Sequence, residues 1–497
     1  MVGILGANSV SGEAYEISNS LRFNDGDSSQ LNSTNVGTVT LGTKFTYSVW
    51  LKKTAIVTAN QNILSADSGG NIAQIYFRSG SNDAIRFLET PDTYSSFDSI
   101  LTTDALFRDP SAWYHIVVAY DSTDGTAANR VKIYSNGVLQ TLTGTTANLN
   151  YTTPFNEASY NLDIGHSRGG EFFDGYMSDA NFIDGQTLAP TDFGEVNANG
   201  VWIPKAYTGA YGTNGFYLEF KETGTGADAS GMGADTSGNG NHFAVTNLAA
   251  TDVTTDTPTN NFATLMPTKD ITLVEGNLIM NHGRSNWDGI FASIGLTTGK
   301  WYWEHKIDDV DGDDRRVIGG IVSNPETYPH IYDGKGTTSD PTDSGTYGTV
   351  SSASPSYMYT GWATNYIFDG TSLYQSTWVD LDDNDVLGFA LDLDNNKFFI
   401  AVNGTWIAAD GGSDGNPATG ANETFDIAAA SNSRVYFPAA LLGGSANTSS
   451  TKLSWNFGNP SFAISSGNAD ANGYGDFEYA VPSGFYSLCT KNLAEFG

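Results

Sequence analysis

RVKIYSNGVLQ, Arg130 to Gln140, and KFFIAVNGTWI, Lys397 to Ile407, spell the same object twice. In each, an apolar or β-branched run meets Asn-Gly and a second such run leaves it. Asn-Gly tolerates the positive φ angles of a two-residue type I′ turn, whose twist matches that of the strands it joins, so each stretch predicts a β-hairpin. The rest of the sequence has the same texture. Short aromatic and β-branched runs are separated by Gly, Ser, Thr, Asn and Asp, with 56 Gly among 497 residues, and no stretch holds apolar residues at a helical period for three turns. The chain reads as all-β, and a chain of this length divides into more than one core.

Charge and cysteine content exclude several classes of function. The 55 acidic residues against 23 basic ones leave a formal net charge of −32, which repels phosphate backbones, so nucleic acid is not an expected partner. No window approaches the ~18 apolar residues of a membrane span, and MVGILGANSVSG has neither the basic nor the apolar region of a signal peptide. Membrane insertion and signal-led export are not expected. Cys489 is the single cysteine, cannot form an internal disulfide, and reads as a buried structural thiol in the apolar run Phe485 to Cys489. An adhesive, Gly/Ser/Thr-rich texture without an export signal suits a protein made in a host cytoplasm and released by lysis, as virion components are.

Along the chain, residues 1–16 read as a short docking arm. Punctuated strands follow over residues 17–204, among them Phe45 to Lys52, Ile72 to Arg78, Trp113 to Tyr120 and Gly175 to Phe182. Their density predicts an antiparallel β-sandwich. Residues 205–261 read as a closing strand, Asn214 to Phe220, and an inter-domain loop rich in Gly, Thr, Asp and Pro. Residues 262–497 read as a second sandwich. The expected fold class is therefore two antiparallel β-sandwiches in tandem.

Trp113 to Tyr120, the hairpin at Asn136-Gly137, Ile164-Gly165 and Phe173 to Ala180 resemble, in this order, the laminin-G or concanavalin-A-like jelly roll. Gly299 to Glu304, Val317 to Ile321, Asp385 to Asn396, the hairpin at Asn403-Gly404, Leu453 to Gly458 and Pro482 to Phe485 resemble an SPRY domain. The resemblance implies two curved two-sheet sandwiches, and the Asn-Gly echo is then architectural, each sandwich needing a hairpin that returns the chain within a sheet.

Concanavalin-like glycanases that cleave β-glucans place two Glu and an Asp at alternating positions of one strand, so that both carboxyls face the same sugar. No Glu-x-Asp-x-Glu occurs. Glu219 and Glu222 come nearest, with an offset of three that would set them on opposite faces of a strand. The six histidines show no ligand spacing, and no catalytic residue is assigned. The chain is not expected to be an enzyme. No cofactor is expected except calcium, for which Asp308, Asp311, Asp313, Asp235 and Asn239 are the candidate ligands, in runs that equally suit turns. The candidate ligand-binding residues are Tyr328, Tyr332, Tyr357, Tyr359, Trp362 and Tyr366, placed by the sequence in Gly/Ser/Thr-rich loops, where flat rings with a polar edge would stack on sugars or anchor a protein.

The tandem, its joining segment NHFAVTNLAATDVTTDTPTNNFATLMP and the stretch SNSLRFNDGDSSQL resemble structural proteins of tailed bacteriophages, marine ones in particular. The resemblance implies a non-enzymatic virion component: a tail-fibre or appendage subunit that presents sandwiches to a host-surface glycan or protein and docks on other virion proteins through the arm. It implies a homo-oligomer, with a trimer favoured. A capsid decoration or head-fibre protein is the alternative within that resemblance, and a polysaccharide-degrading hydrolase the alternative outside it.

Overall fold

The computed structural model describes residues 15–34, 42–54, 59–68, 70–79, 83–91, 97–157, 160–167, 169–267, 271–282, 287–309, 317–325, 356–360, 366–368, 373–375, 379, 381–443 and 451–497. The fold is all-β, with antiparallel strand pairing throughout the described residues apart from Trp301 and Tyr302 against Tyr486 and Ser487 and an isolated parallel bridge between Gly224 and Gly231. Two compact units part between Asn261 and Phe262.

In the first unit, one sheet runs in the order Val138–Leu139, Val131–Ser135, Tyr114–Asp121, Lys44–Lys53, Gly175–Asp184, Ser20–Phe23, Val253–Thr254, with Phe216–Leu218 also paired to Gly175–Asp184. The facing sheet runs Leu142–Thr145, Ser99–Thr103, Ile85–Thr90, Ile72–Phe77, Gln61–Asp67, Asn161–Ile164, Gln30–Thr34, Ala244–Thr246. Alternating residues of both sheets close one core, through which an aromatic ladder passes: Tyr120 stacks on Phe45 at 5.1 Å, Phe45 on Phe182 at 5.4 Å and Phe182 on Phe216 at 5.5 Å. The segment 205–261, expected to be a closing strand and a loop between domains, belongs wholly to this unit. Phe216–Leu218 pairs in the first sheet, and Ala244–Thr246 and Val253–Thr254 are edge strands of the two sheets. Its polar composition concealed them because an edge strand needs backbone pairing and little apolar surface.

The second unit repeats the scheme. One sheet runs Thr272–Val274, Ile279–His282, Thr451–Asn456, Lys300–Asp309, Val386–Asp392, Lys397–Val402, Thr405–Ile407, and the other Trp287–Phe291, Tyr436–Gly443, Val317–Ser323, Ser356–Thr360, Tyr366–Phe368, Leu373–Gln375. Trp303, Phe389, Phe398 and Phe425 stack in series at 5.3, 6.0 and 6.1 Å. Cys489 is buried, and a short helix, Thr490–Phe496, ends the chain.

Both Asn-Gly pairs form the predicted turn. Asn136 and Gly137 have φ of 47° and 77°, Asn403 and Gly404 of 48° and 78°. The likeness extends to a contact the sequence did not announce. Asn136 Oδ1 accepts the His115 amide at 2.8 Å while its own amide donates to the His115 carbonyl at 2.9 Å. Asn403 does the same with Val386, at 3.0 and 2.9 Å. Each Asn thus mimics a strand residue and extends the ladder by one rung. The glycines then admit a ring from a distant segment: a Cβ at Gly137 would sit 2.5 Å from Trp202, and one at Gly404 2.6 Å from Tyr479.

Gly137→Ala and Gly404→Ala should each destabilise the unit that carries them by about 1–3 kcal/mol, through left-handed backbone strain and displacement of the ring. Denaturant titration of the full chain, followed by tryptophan fluorescence, will measure the loss.

Candidate functional site

On the face of the first sheet turned away from the core, the strand Gly175–Asp184 departs from regular pairing. Ser178 is opposite Trp50 and Asn181 opposite Ser48, so three steps on one strand match two on the other. This is a β-bulge, with Asp179 in the left-handed region at φ 51°. The extra residue shifts the alternation by one: Met177, Ala180 and Phe182 all enter the core, and Asp179 is left outside it.

Asp179 is only 3% exposed, because the segment beginning at Tyr15 and the strand Phe216–Leu218 close over it. Its Oδ1 lies 2.8 Å from the hydroxyl of Tyr15 and 2.8 Å from that of Tyr217, and the two hydroxyls are 2.7 Å apart. Three oxygens in mutual contact need three protons to make three hydrogen bonds. The phenols supply two, so the third contact is satisfied only when the Asp179 carboxyl is itself protonated. Burial acts in the same direction and pushes this carboxyl up to about 6, against the opposing pull of the phenol hydrogen bonds. Both tyrosines are raised, by burial first and then by the Asp179 charge. Asn181 completes the support: its Nδ2 donates to the Asp179 carbonyl at 2.9 Å and its Oδ1 accepts from Tyr211 at 2.9 Å.

A recess of about 90 Å³ opens beside this triad, lined also by Glu16, Asn19, Glu219 and Lys221. Lys221 reaches Glu219 at 2.9 Å near the rim. Phenols, an amide, carboxylates and one ammonium group there provide hydrogen-bond donors and acceptors at the scale of a few hydroxyl groups.

The residues expected from sequence lie elsewhere. Tyr357 and Tyr359 are corrected: they belong to the strand Ser356–Thr360, not to a loop, and are buried in the second core. Tyr357 packs its ring on Phe425 and accepts the Ala428 amide at 2.7 Å, and Tyr359 stacks on Phe389. The Gly/Ser/Thr-rich flanks suggested loops, but the alternation Tyr357, Tyr359 is the period of a strand with one face inward. Tyr366 begins the strand Tyr366–Phe368, and its side chain lies outside the described residues, as do Tyr328, Tyr332, Trp362, Asp311 and Asp313. Asp308 accepts from Lys306 at 3.0 Å and from Ser454.

Asp235 is a latch. Its oxygens accept the amides of Tyr217, Ser237 and Asn241 at 2.9, 2.9 and 2.8 Å, while Asn239 donates to the Gly212 and Gly215 carbonyls. These bonds fix the strand that carries Tyr217. Among the described residues no group of three His, Cys, Asp or Glu side chains is placed to hold a metal ion. One Gly-x-Ser-x-Gly spacing exists, Gly411 to Gly415, but Ser413 is exposed in irregular chain with no helix after it, unlike a nucleophile elbow. Asp179 itself escaped the sequence reading. The available signal was a carboxylate inside a run, Gly175 to Phe182, that otherwise reads as a buried strand.

Residues 24–191 match the family described as the concanavalin A-like lectin/glucanases superfamily. No curated protein matches the chain. Among solved structures, the SPRY domain of human HERC1 is similar at 16% identity, covering 38% of this chain and 92% of that one, with a TM-score of 0.26. A putative carbohydrate binding protein from Bacteroides ovatus is similar at 14% identity over 48% of this chain and 62% of its own, with a TM-score of 0.32. Tailspike protein 2 of the Escherichia coli O157:H7 bacteriophage CAB120 is similar at 14% identity over 35% and 23%, with a TM-score of 0.25.

Because the folded-state pKa of Asp179 lies above its unfolded value of 3.8, its contribution to stability is full below pH 3.8 and is lost as pH rises through about 6. Two pKa units correspond to about 3 kcal/mol. Asp179→Asn should remove that loss, so the stability difference between variant and wild type should grow in the variant's favour across this interval. Denaturant midpoints measured at a series of pH values will show whether it does.

Proposed function

We propose that the chain is a non-enzymatic attachment protein of a virion, a tail-fibre or appendage subunit whose first sandwich offers the Asp179 recess to a glycan on the host surface. The observation that carries the reading is the recess itself: two phenols, a buried carboxyl, an amide and a rim ion pair, gathered by a bulge on a sandwich similar to the concanavalin A-like lectins and glucanases. Sugar hydroxyls are both donors and acceptors, and a site that fixes them needs both kinds of group on a rigid frame. The Asp235 latch and the bulge supply that frame. Shallow sites of this kind act through many copies on one particle, where linkage raises the effective concentration of each weak contact.

Labelled full-length protein should adsorb to host cells and to surface polysaccharide in a saturable manner. Tyr15→Ala, which removes one ring and one donor from the recess, should weaken that adsorption by more than about tenfold. Particle binding without any cell or polysaccharide binding would instead indicate a capsid decoration. Release of reducing ends from the polysaccharide, abolished by Asp179→Asn, would indicate a hydrolase.

A further inference from the structure

Asn-Gly occurs six times in the sequence, at Asn136, Asn199, Asn214, Asn239, Asn403 and Asn472. A glycine after asparagine leaves its main-chain nitrogen unscreened by a Cβ, so that nitrogen can reach the asparagine Cγ wherever the side chain is free to swing over it. Five of the six asparagines are held. Asn136 and Asn403 fix strand amides through Oδ1 at 2.8 and 3.0 Å. Nδ2 of Asn214 donates to Asn156 at 3.2 Å, that of Asn239 to the Gly212 carbonyl at 2.6 Å and that of Asn472 to Asn492 at 2.9 Å. Three of the glycines that follow are also crowded, Gly137 by Trp202, Gly404 by Tyr479 and Gly215 by the Tyr211 carbonyl.

Asn199 differs. It is exposed in the turn that joins Gly194–Val196 to Trp202–Pro204, and among the described residues no hydrogen bond holds its side chain. The bonds of this turn belong to Asn197, whose Oδ1 accepts the amides of Asn199 and Val201 at 3.0 Å each and whose carbonyl accepts that of Gly200 at 3.0 Å. A Cβ at Gly200 would meet nothing within 4 Å, so a ring has room to close there.

We infer that Asn199 is a site of spontaneous covalent modification, converted through a cyclic imide to aspartate and isoaspartate, with hydroxide and water as the only co-reactants. Hydroxide takes the Gly200 amide proton, which releases that nitrogen from Asn197 and leaves an electron pair that attacks Asn199 Cγ. The new N–Cγ bond closes a five-membered succinimide and the Cγ–Nδ2 bond breaks. Ammonia leaves by taking a proton from water, which restores the hydroxide. Water then adds to one of the two ring carbonyls and the ring C–N bond there breaks. Opening at Cγ gives aspartate; opening at the main-chain carbonyl gives isoaspartate, whose main chain runs through Cβ and Cγ. Both products add a negative charge to the turn. Isoaspartate also inserts a methylene between the two amides that Asn197 Oδ1 holds, and so loosens the turn that sets Trp202 on Gly137 and its indole 3.0 Å from His115 Nδ1.

Ageing the full chain in heavy-oxygen water at neutral and alkaline pH, followed by peptide mapping by mass spectrometry, tests this. Asn199 should convert at least about tenfold faster than any of the other five, because each of those must first leave its bonds by local opening. The rate should rise with hydroxide, and each product should carry one heavy oxygen. In the denaturant-unfolded chain all six should convert at similar rates, since the fold alone sets them apart. A methyltransferase specific for isoaspartate should label the aged chain and lose most of that signal in Asn199→Gln, whose longer side chain does not close the five-membered ring. Faster conversion at any of the other five, a rate indifferent to pH, or an intact Asn199 under conditions that convert the unfolded chain would overturn the inference.

Discussion

A backbone that must turn through left-handed conformations without losing a rung of hydrogen bonding sets the terms for both sandwiches. The Asn-Gly pairs meet that demand in two parts. The Asn side chain supplies the acceptor that the bent main chain no longer offers to the neighbouring strand, and the bare Gly lets a ring from far along the chain approach the turn closely. The two rings come from quite different places, Trp202 in one unit and Tyr479 in the other. The common element is therefore the turn and its clamp, and each unit covers it with whatever aromatic its topology brings near.

The bulge at Asp179 is the complementary case, a place where regular pairing is given up. One extra residue keeps three apolar side chains in the core and ejects a carboxyl to the outer face under two tyrosines. Burial in a sheet would ordinarily exclude such a group unless it is paired or neutralised. Here both phenols donate to it, while burial raises its pKa to about 6. Burial raises Glu304 in the second unit as well, but its hydrogen bonds are spent differently. It accepts from Tyr302, Asn456 and the amides of Glu478 and Tyr479, four donors that tie down a loop and leave nothing for a ligand.

Much of the architecture was legible because the core-facing strands carry their own signal. Lys44–Lys53, Tyr114–Asp121 and Val131–Ser135 are dense in aromatic and β-branched residues and were readable to within a residue or two. Gln30–Thr34, Ser99–Thr103 and Leu142–Thr145 were not, since strands with one polar face and little apolar mass resemble loops in composition. The site was harder still. Tyr15, Asp179 and Tyr217 are separated by 164 and 38 residues, and nothing in their local sequence reports that they meet. Tyrosines in Gly- and Ser-rich surroundings drew attention to Tyr357 and Tyr359, yet their two-residue spacing recorded an inward-facing strand. In the run Asp235 to Asn241, the Asp235 oxygens accept three main-chain amides and the Asn239 and Asn241 side chains donate to main-chain carbonyls.

Lys52 and Asp256 form an ion pair with no solvent exposure on either side chain, and Asp256 also accepts from the Trp113 indole. The partners are 204 residues apart, and the strand Ser20–Phe23 likewise waits for Val253–Thr254. On the ribosome, then, the first sandwich is made with a lysine awaiting its counter-charge and a leading strand awaiting its last neighbour. It can close only when residue 261 has cleared the exit tunnel, so the nascent chain passes a long interval during which its edges must be kept from other chains.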